Sequence, residues 1–377
     1  SGVCHTAVQK KRKELAFPAD IYLEGSDQHR GWFQTSLTSS LAANGQSPYK
    51  ALITHGFVNE NQGYKMSKSK GNVIDPAEVI KKHGAEILRL WVAYEDYGQD
   101  VNISNEMFLR ITETYRRIRN TMRFLLGNLH DFDPEHDCVK AKDMPALDRW
   151  ALTRLNELIR KTTEAYEGYN FYRVYHSLNQ FFTVDLSATY LDILKDRLYT
   201  WKVDGQARRS SQKVIYFLCE NLVTIMAPIL SFLGEEVYSY IPQKKHNSVF
   251  LTRFPTPQKE WDNPELAKKF EQVLEVRSEV SQRLEELRKN KTIGSSLDAS
   301  VKISATENRF SLLQEFAKDL RELFIVSAVE VVKSNTNEVH VNQAPGEKCV
   351  RCWHFSPEIG KNKAHPEICP KCIEALT

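Results

Sequence analysis

Hydrophobic and polar positions change their rhythm three times along the 377-residue chain. Residues 1 to about 100 alternate short apolar runs with helical patterns, as α/β units do. Asp20 to Gly25 (DIYLEG) reads as a buried strand through Ile21, Tyr22 and Leu23 that opens into a glycine turn. A helix follows from Gly31-Trp32-Phe33 toward Ala43. Ser26 or Asp27 is placed to cap it, leaving free amides at its start for an anion. Ala51 to Val58 reads as a second buried strand. In open α/β sheets ligands collect at the carboxyl ends of strands, where Gly25 to Gln28 and His55-Gly56 fall.

From Asn105 to about Asn128 the period becomes 3.6, with Phe108, Ile111, Tyr115, Ile118, Met122 and Leu125 on one stripe. The other side carries Arg110, Arg116, Arg117, Arg119 and Arg123, which suit either a phosphate backbone or a solvated polar face. A loop-like stretch, His130 to Pro145, precedes long helices over Ala146 to about Tyr166 and Asn170 to about Leu186. A shorter helix to Tyr199, another over Gln206 to about Ala227, and one after Pro228 complete an all-α bundle. Its candidate surface cations are Lys195, Arg197, Lys202, Arg208, Arg209 and Lys213. Tyr199 and Trp201 either stack on bases or fill the core.

Residues 244–264 are a proline-punctuated linker, and Pro264 to Asn290 a highly charged helix. A strand at Val301–Ile303, a helix over Arg309–Leu323, a strand over Phe324–Val332 and one at Glu338–Val341 predict a small α+β module.

Composition adds bounds. Hydrophobic residues make up 41% and charged residues 26%, ordinary for a globular protein. No apolar run reaches the roughly 18 residues of a membrane span, and the first residues lack the apolar core of a secretory signal. Net charge is only +3, so any case for nucleic acid rests on local clusters. Cys4, Cys138 and Cys219 are scattered, as suits a reducing, cytoplasmic setting.

The other four cysteines are not scattered. Cys349-x-x-Cys352 and Cys369-x-x-Cys372 have the spacing of a closed structural zinc site, with disulfides the alternative. His354 and His365 are near enough to substitute as ligands. Lys348, Arg351, Trp353 and Lys371 surround the knuckle and suit RNA.

The most distinctive stretch is Gly63 to Asn72, GYKMSKSKGN. Lys65, Lys68 and Lys70 sit among Ser67 and Ser69 between two glycines. A mobile cationic loop of this kind suits a polyphosphate leaving group, although on charge alone a solvated basic loop is the commoner case. Lys65-Met66-Ser67-Lys68-Ser69 resembles without mismatch the KMSKS signature of class I aminoacyl-tRNA synthetases. LEGSDQHRGWF closely resembles the isoleucyl version of the strand–turn–helix. Taken alone, His55 and Trp32 read as packed core residues. QARRSSQ with APILSFLGEEVY resembles the family's anticodon-binding domain, and the junction phrase IGSSL and the cysteine knuckle resemble bacterial-type isoleucyl enzymes.

The resemblance implies residues 1–104 as the second half of a Rossmann-like catalytic domain, 105–258 as the anticodon domain, 259–342 as a junction module and 343–377 as a zinc knuckle. It implies Lys65 and Lys68 as catalytic groups on the pyrophosphate. It places Met66 near adenine, Ser67 and Ser69 in the nucleotide loop, and Glu24 and Gln28 on the aminoacyl part. Asp27 and Gly25 fall on the ribose, Trp32 on the isoleucine pocket, and His55, Gly56 and Val58 on the adenosine. Cys349, Cys352, Cys369 and Cys372 would hold one zinc ion, and Mg2+ would accompany ATP. Arg116, Arg117, Arg119, Arg123, Arg208, Arg209, Arg351 and Trp353 are the implied contacts to tRNA(Ile). The family's HIGH-type motif and editing insertion do not occur in this sequence. The expectation is therefore the C-terminal portion of a longer, monomeric isoleucine–tRNA ligase, a tRNA-binding module without catalysis when isolated.

Overall fold

The computed structural model describes residues 2–137 and 139–376; the side chain of Lys68 lies outside that description. The chain forms two compact units, residues 1–115 with 165–176, and residues 116–164 with 177–377.

In the first unit, β1 (Ala19–Gly25) and β2 (Tyr49–His55) pair in parallel, Gly25 opposite His55, with α1 (Trp32–Asn44) between them in sequence. Tyr22 fixes α1 to the sheet: its hydroxyl bonds Ser36 Oγ at 3.2 Å and its ring stacks on Trp32 at 4.3 Å. Only Tyr22 and Gly25 of β1 are buried, whereas Leu23 is 56% exposed. The expected buried strand is thus covered on one face. Side chains alternate across a strand, so Ile21 and Leu23 point away from α1. The start of α1 also differs from expectation. A 3₁₀ turn over Ser26–Arg30 intervenes, and Gln28 Oε1, not Ser26 or Asp27, accepts from Trp32 N at 3.1 Å.

The second expected strand breaks at Gly56. Its amide donates to Tyr97 O at 2.9 Å, and a Cβ there would lie 2.2 Å from Gln99 O. That close approach ends β2 at His55. The chain then enters another parallel pair, β3 (Val58–Glu60) with β4 (Val101–Ile103). Between them lie α2 (Pro76–His83) and α3 (Ala85–Tyr94). Asp75 caps α2 through the Ala77 amide at 2.8 Å, and Pro76 occupies its first turn.

Helix α4 (Asn105–Gly127) runs from the first unit into the second. Phe108, Ile111, Ile118, Met122 and Leu125 are buried and the five arginines exposed, as the period requires. After α5 (Ala146–Glu167), α6 (Phe171–Gln180) passes through a π-helical stretch, Phe181–Tyr190, directly into α7 (Leu191–Thr200). The two expected helices are one rod. Then come α8 (Gln206–Met226) and α9 (Ser231–Ser239). Asp148, fully buried, accepts from Tyr190, Arg197, Ser210 and Ser211, so its charge is completely paired inside the bundle.

Asn263 caps α10 (Pro264–Lys289) through Leu266 N. The following module has the sheet order β6-β5-β7, formed by β5 (Ala299–Ala305), β6 (Ala328–Lys333) and β7 (Glu338–Gln343). β6 is parallel to β5 and β7 antiparallel. Where one helix and a strand beginning at Phe324 were expected, two helices stand: α11 (Glu307–Glu315) and α12 (Leu320–Phe324). Ile325 adopts φ +56°, which stops α12 and delays the strand to Ala328. The knuckle closes the chain with β8 (Glu347–Lys348), β9 (Phe355–Ser356) and α13 (Pro370–Glu374).

Candidate active site and metal centre

Parallel pairing sets the carboxyl ends of β1 and β2 side by side. Gly25 therefore stands opposite His55, and Glu24 opposite Thr54. Asp27 accepts from Gln28 Nε2 at 3.1 Å, and the His55 ring bonds Gly56 O at 2.9 Å. The structure thus gathers Glu24, Gly25, Asp27, Gln28, His55 and Gly56 along one sheet edge. Trp32 lies one helix turn away, stacked on Tyr22. Val58 belongs to the next sheet.

The basic loop is the end of a hairpin rather than a loose strand connection. Asn59 and Lys65 form an antiparallel bridge, Glu60 N donates to Tyr64 O at 3.0 Å, and Gly63 turns the chain at φ +81°. Lys65 Nζ lies 4.6 Å from the centre of the Phe57 ring, a cation–π contact one residue after Gly56. Lys65 is exposed. Met66 Sδ accepts from Ile74 N at 3.4 Å, and the Ser67 and Ser69 hydroxyls are 3.2 Å apart. Lys68, the other implied catalytic lysine, has its side chain outside the described residues. Phe57 and Asn72, whose amide side chain spans the loop, were not singled out from the sequence. Neither carries charge or periodicity that would mark it.

In the knuckle the four sulfurs lie within 4.8 Å of one another, all buried, with Cys349–Cys372 at 3.8 Å and Cys352–Cys369 at 3.5 Å. A Zn–S bond of about 2.3 Å in a tetrahedron sets its edges at about 3.8 Å. The thiols are free, so the disulfide alternative is not realised. The donor set fits one structural zinc ion with no open position. His354 is buried but outside the sulfur cluster, and its carbonyl accepts from Cys349 N at 2.9 Å. His365 is exposed.

The cationic candidates separate into two groups. Arg116, Arg117, Arg119 and Arg123 are exposed on α4. Arg117 bonds Thr183 Oγ1 at 2.9 Å, and Arg119 pairs with Glu236 at 3.2 Å. Arg119 and Arg123 border a groove of about 500 Å3 against Leu233, Val237 and Tyr240. Arg208 and Arg209 turn inward instead. Arg208 is buried, holds Asp131 with two bonds of 2.7 and 3.1 Å, and also donates to Leu198 O and Val203 O. Arg209 bonds Asp131 O and pairs with Asp137 at 3.3 Å. These donors are committed to holding the 131–137 loop, so the expected RNA role does not fit them. Arg197 is likewise consumed by Asp148 and Glu322.

The knuckle's cations divide similarly. Arg351 donates to Thr200 O and to Cys372 Sγ, and Lys371 grips both Asp196 carboxylate oxygens at 2.7 and 2.6 Å. Both seat the knuckle on the C-terminal end of α7, where cations are favoured. Trp353 remains 60% exposed, and Tyr199 is exposed on α7.

The fold and these two sites match known families. The model described as class I tRNA synthetases (I, L, M and V) fits residues 1–104, and the anticodon-binding domain of tRNA ligase fits 148–303. The zinc finger found in FPG and IleRS fits 346–375. The chain belongs to the class I tRNA synthetases. Within that class it is similar along its whole length to isoleucine–tRNA ligases. It is 51% identical over 387 residues to that of Geobacter sulfurreducens and 45% over 392 to that of Caldanaerobacter subterraneus subsp. tengcongensis. Each comparison takes in 100% of this chain but 42% of the relative, so the chain spans less than half the length of these relatives. Two solved structures share the fold. The Agrobacterium radiobacter K84 agnB2 LeuRS–tRNA–LeuAMS complex aligns at TM-score 0.52 and 19% identity, over 69% of this chain and 31% of its own. Mycobacterium tuberculosis methionyl-tRNA synthetase with methionyl-adenylate aligns at 0.51 and 19%, over 65% and 50%.

Proposed function

We propose that this chain is the part of an isoleucine–tRNA ligase that holds the pyrophosphate of ATP and binds tRNA(Ile). The observation that carries the reading is the placement of Lys65: a glycine-turned hairpin brings it to Phe57, two residues beyond His55, which pairs with Gly25. An isoleucine carboxylate oxygen attacks the α-phosphorus of ATP, and the bond to the bridging oxygen breaks. Lys65 and Lys68 meet the charge that grows on the departing pyrophosphate, with Mg2+ accompanying ATP. A ribose hydroxyl of the tRNA then attacks the acyl carbon and AMP leaves. Asp27 and Gly25 sit where a ribose would lie, Glu24 and Gln28 face the aminoacyl group, and Trp32 offers a flat apolar wall. Met66, Ser67, Ser69, His55, Gly56 and Val58 surround the nucleotide.

The exposed arginine face of α4 and the aromatic tip of the knuckle at Trp353 supply the tRNA surface. The zinc ion holds the knuckle's fold and takes no part in the reaction. In isolation the chain acts as an RNA-binding piece, a reading favoured by the five exposed arginines of α4. The parent enzyme is taken as cytoplasmic and monomeric. No helix among the described residues is long and apolar enough to cross a membrane. Isoleucine-dependent exchange of pyrophosphate into ATP tests the assignment in the ligase that contains this chain. Lys65→Ala is expected to lower kcat about a hundredfold, the usual cost of one transition-state donor. An unchanged kcat would remove Lys65 from the chemistry.

A further inference from the structure

Beyond the bridge at Lys65 the basic loop carries one 3₁₀ turn, Lys68–Lys70, and its backbone is tied across its base by a side chain. Asn72 Oδ1 accepts from Ser67 N at 2.8 Å, while Asn72 Nδ2 donates to Lys65 O at 3.4 Å. The two bonds reach back five and seven residues and fix the backbone on both sides of Met66. Gly71, the residue before Asn72, is at φ +66° with nothing within 4 Å of where a Cβ would stand, as is Gly63 at φ +81°. Both glycines turn the chain in a conformation that side chains rarely adopt, the hairpin bonds hold the Gly63 end, and Asn72 ties the rest of the segment to it. The Ile74 N bond to Met66 Sδ, at 3.4 Å, is a weaker tie in the same place.

We propose that Asn72 is a positioning residue for pyrophosphate departure: it clasps Lys65 and Ser67 so that the loop meets the phosphates already shaped. The inference rests on the functional reading above. An amide side chain suits the task because it accepts and donates at once, which neither a carboxylate nor a hydroxyl of similar reach does with both groups fixed in one plane. A loop already folded around its lysines loses less conformational entropy when it closes on the phosphates. Removing the clasp should therefore slow the chemical step while leaving the amino-acid site on the sheet edge intact.

The test uses the full ligase containing this chain. Asn72→Ala is expected to lower kcat for isoleucine-dependent pyrophosphate exchange at least tenfold, with KM for isoleucine and the melting temperature unchanged. A merely structural role would move all three together. Hydrogen exchange supplies the independent arm. The Ser67 amide should exchange at least tenfold faster in Asn72→Ala, and Asn72→Asp, which keeps the 2.8 Å acceptor, should restore its protection. Equal Ser67 exchange in wild type and Asn72→Ala overturns the clasp. Faster exchange with unchanged kcat overturns its role in catalysis. A wild-type ligase with no exchange activity but a protected Ser67 amide would sink the functional reading and, with it, the catalytic part of the inference, leaving a structural clasp.

Discussion

Asp131 shows how single residues hold the helical part of the chain. Its carboxylate receives Arg208 through two nitrogens, with Gln212 and Arg209 beside it. Burial alone would raise its pKa, but the hydrogen bonds from Arg208 and Gln212 and the two guanidinium charges outweigh that and hold it at about 2. The unfolded chain takes up the proton near 3.8, so the folded form is the weaker binder. The contribution to stability is complete above about pH 4 and is lost as pH falls toward 2. The urea midpoint should drop between pH 5 and pH 3, and Arg208→Ala should make that drop shallower. A slope unchanged in the variant would break the link. At neutral pH, Arg208→Ala should cost about 3 kcal/mol in urea unfolding, since its two bonds to Asp131 and those to Leu198 O and Val203 O are lost together. A shift below about 0.5 kcal/mol would return Arg208 to the surface charges.

The knuckle and α4 depend on different forces. Among the described residues, Ile359 and Ile368 pack on the four-cysteine cluster as apolar partners, too little to order residues 346–375 without a metal. The chain should carry one zinc ion by atomic absorption. Chelation or Cys372→Ser should expose that segment to proteolysis while residues 1–115 keep their protection. Retention of the fold after the metal is stripped would contradict this. For α4, Arg119→Glu with Arg123→Glu should weaken tRNA binding and lower its salt slope by about 2, one phosphate contact for each arginine. An unchanged slope would leave those arginines as a solvated face. Helices of this part were readable because a 3.6-residue period persists through α4 and α8 whatever they pack against. Breaks were not. The π-helical joint at Phe181–Tyr190 and the stop at Ile325 leave no mark in the local pattern, and the switch at Gly56 is set by the remote Tyr97–Gln99 backbone.

Across the whole molecule, what the sequence disclosed was chemistry packed into contiguous letters. The basic loop spans ten residues and each cysteine pair four, so spacing alone brings the groups together. The ion pairs were hidden because their partners are remote: Arg208 and Asp131 lie 77 positions apart, Arg197 and Glu322 125. Counting cations along helices therefore assigned Arg208 and Arg209 to RNA when their charge was already spent. Leu23 was read as buried where it is exposed, and the sheet edge at Gly25 and His55 was legible only as two strand ends. Their meeting depends on parallel pairing across thirty residues. The most direct test of the proposed function is isoleucine-dependent ATP–pyrophosphate exchange, measured with this chain alone and again with the remaining portion of a full-length relative supplied in trans. The expected result is exchange only in the mixture, lowered about a hundredfold by Lys65→Ala in this chain. Exchange by the chain alone would contradict the assignment of only part of the active site to these residues.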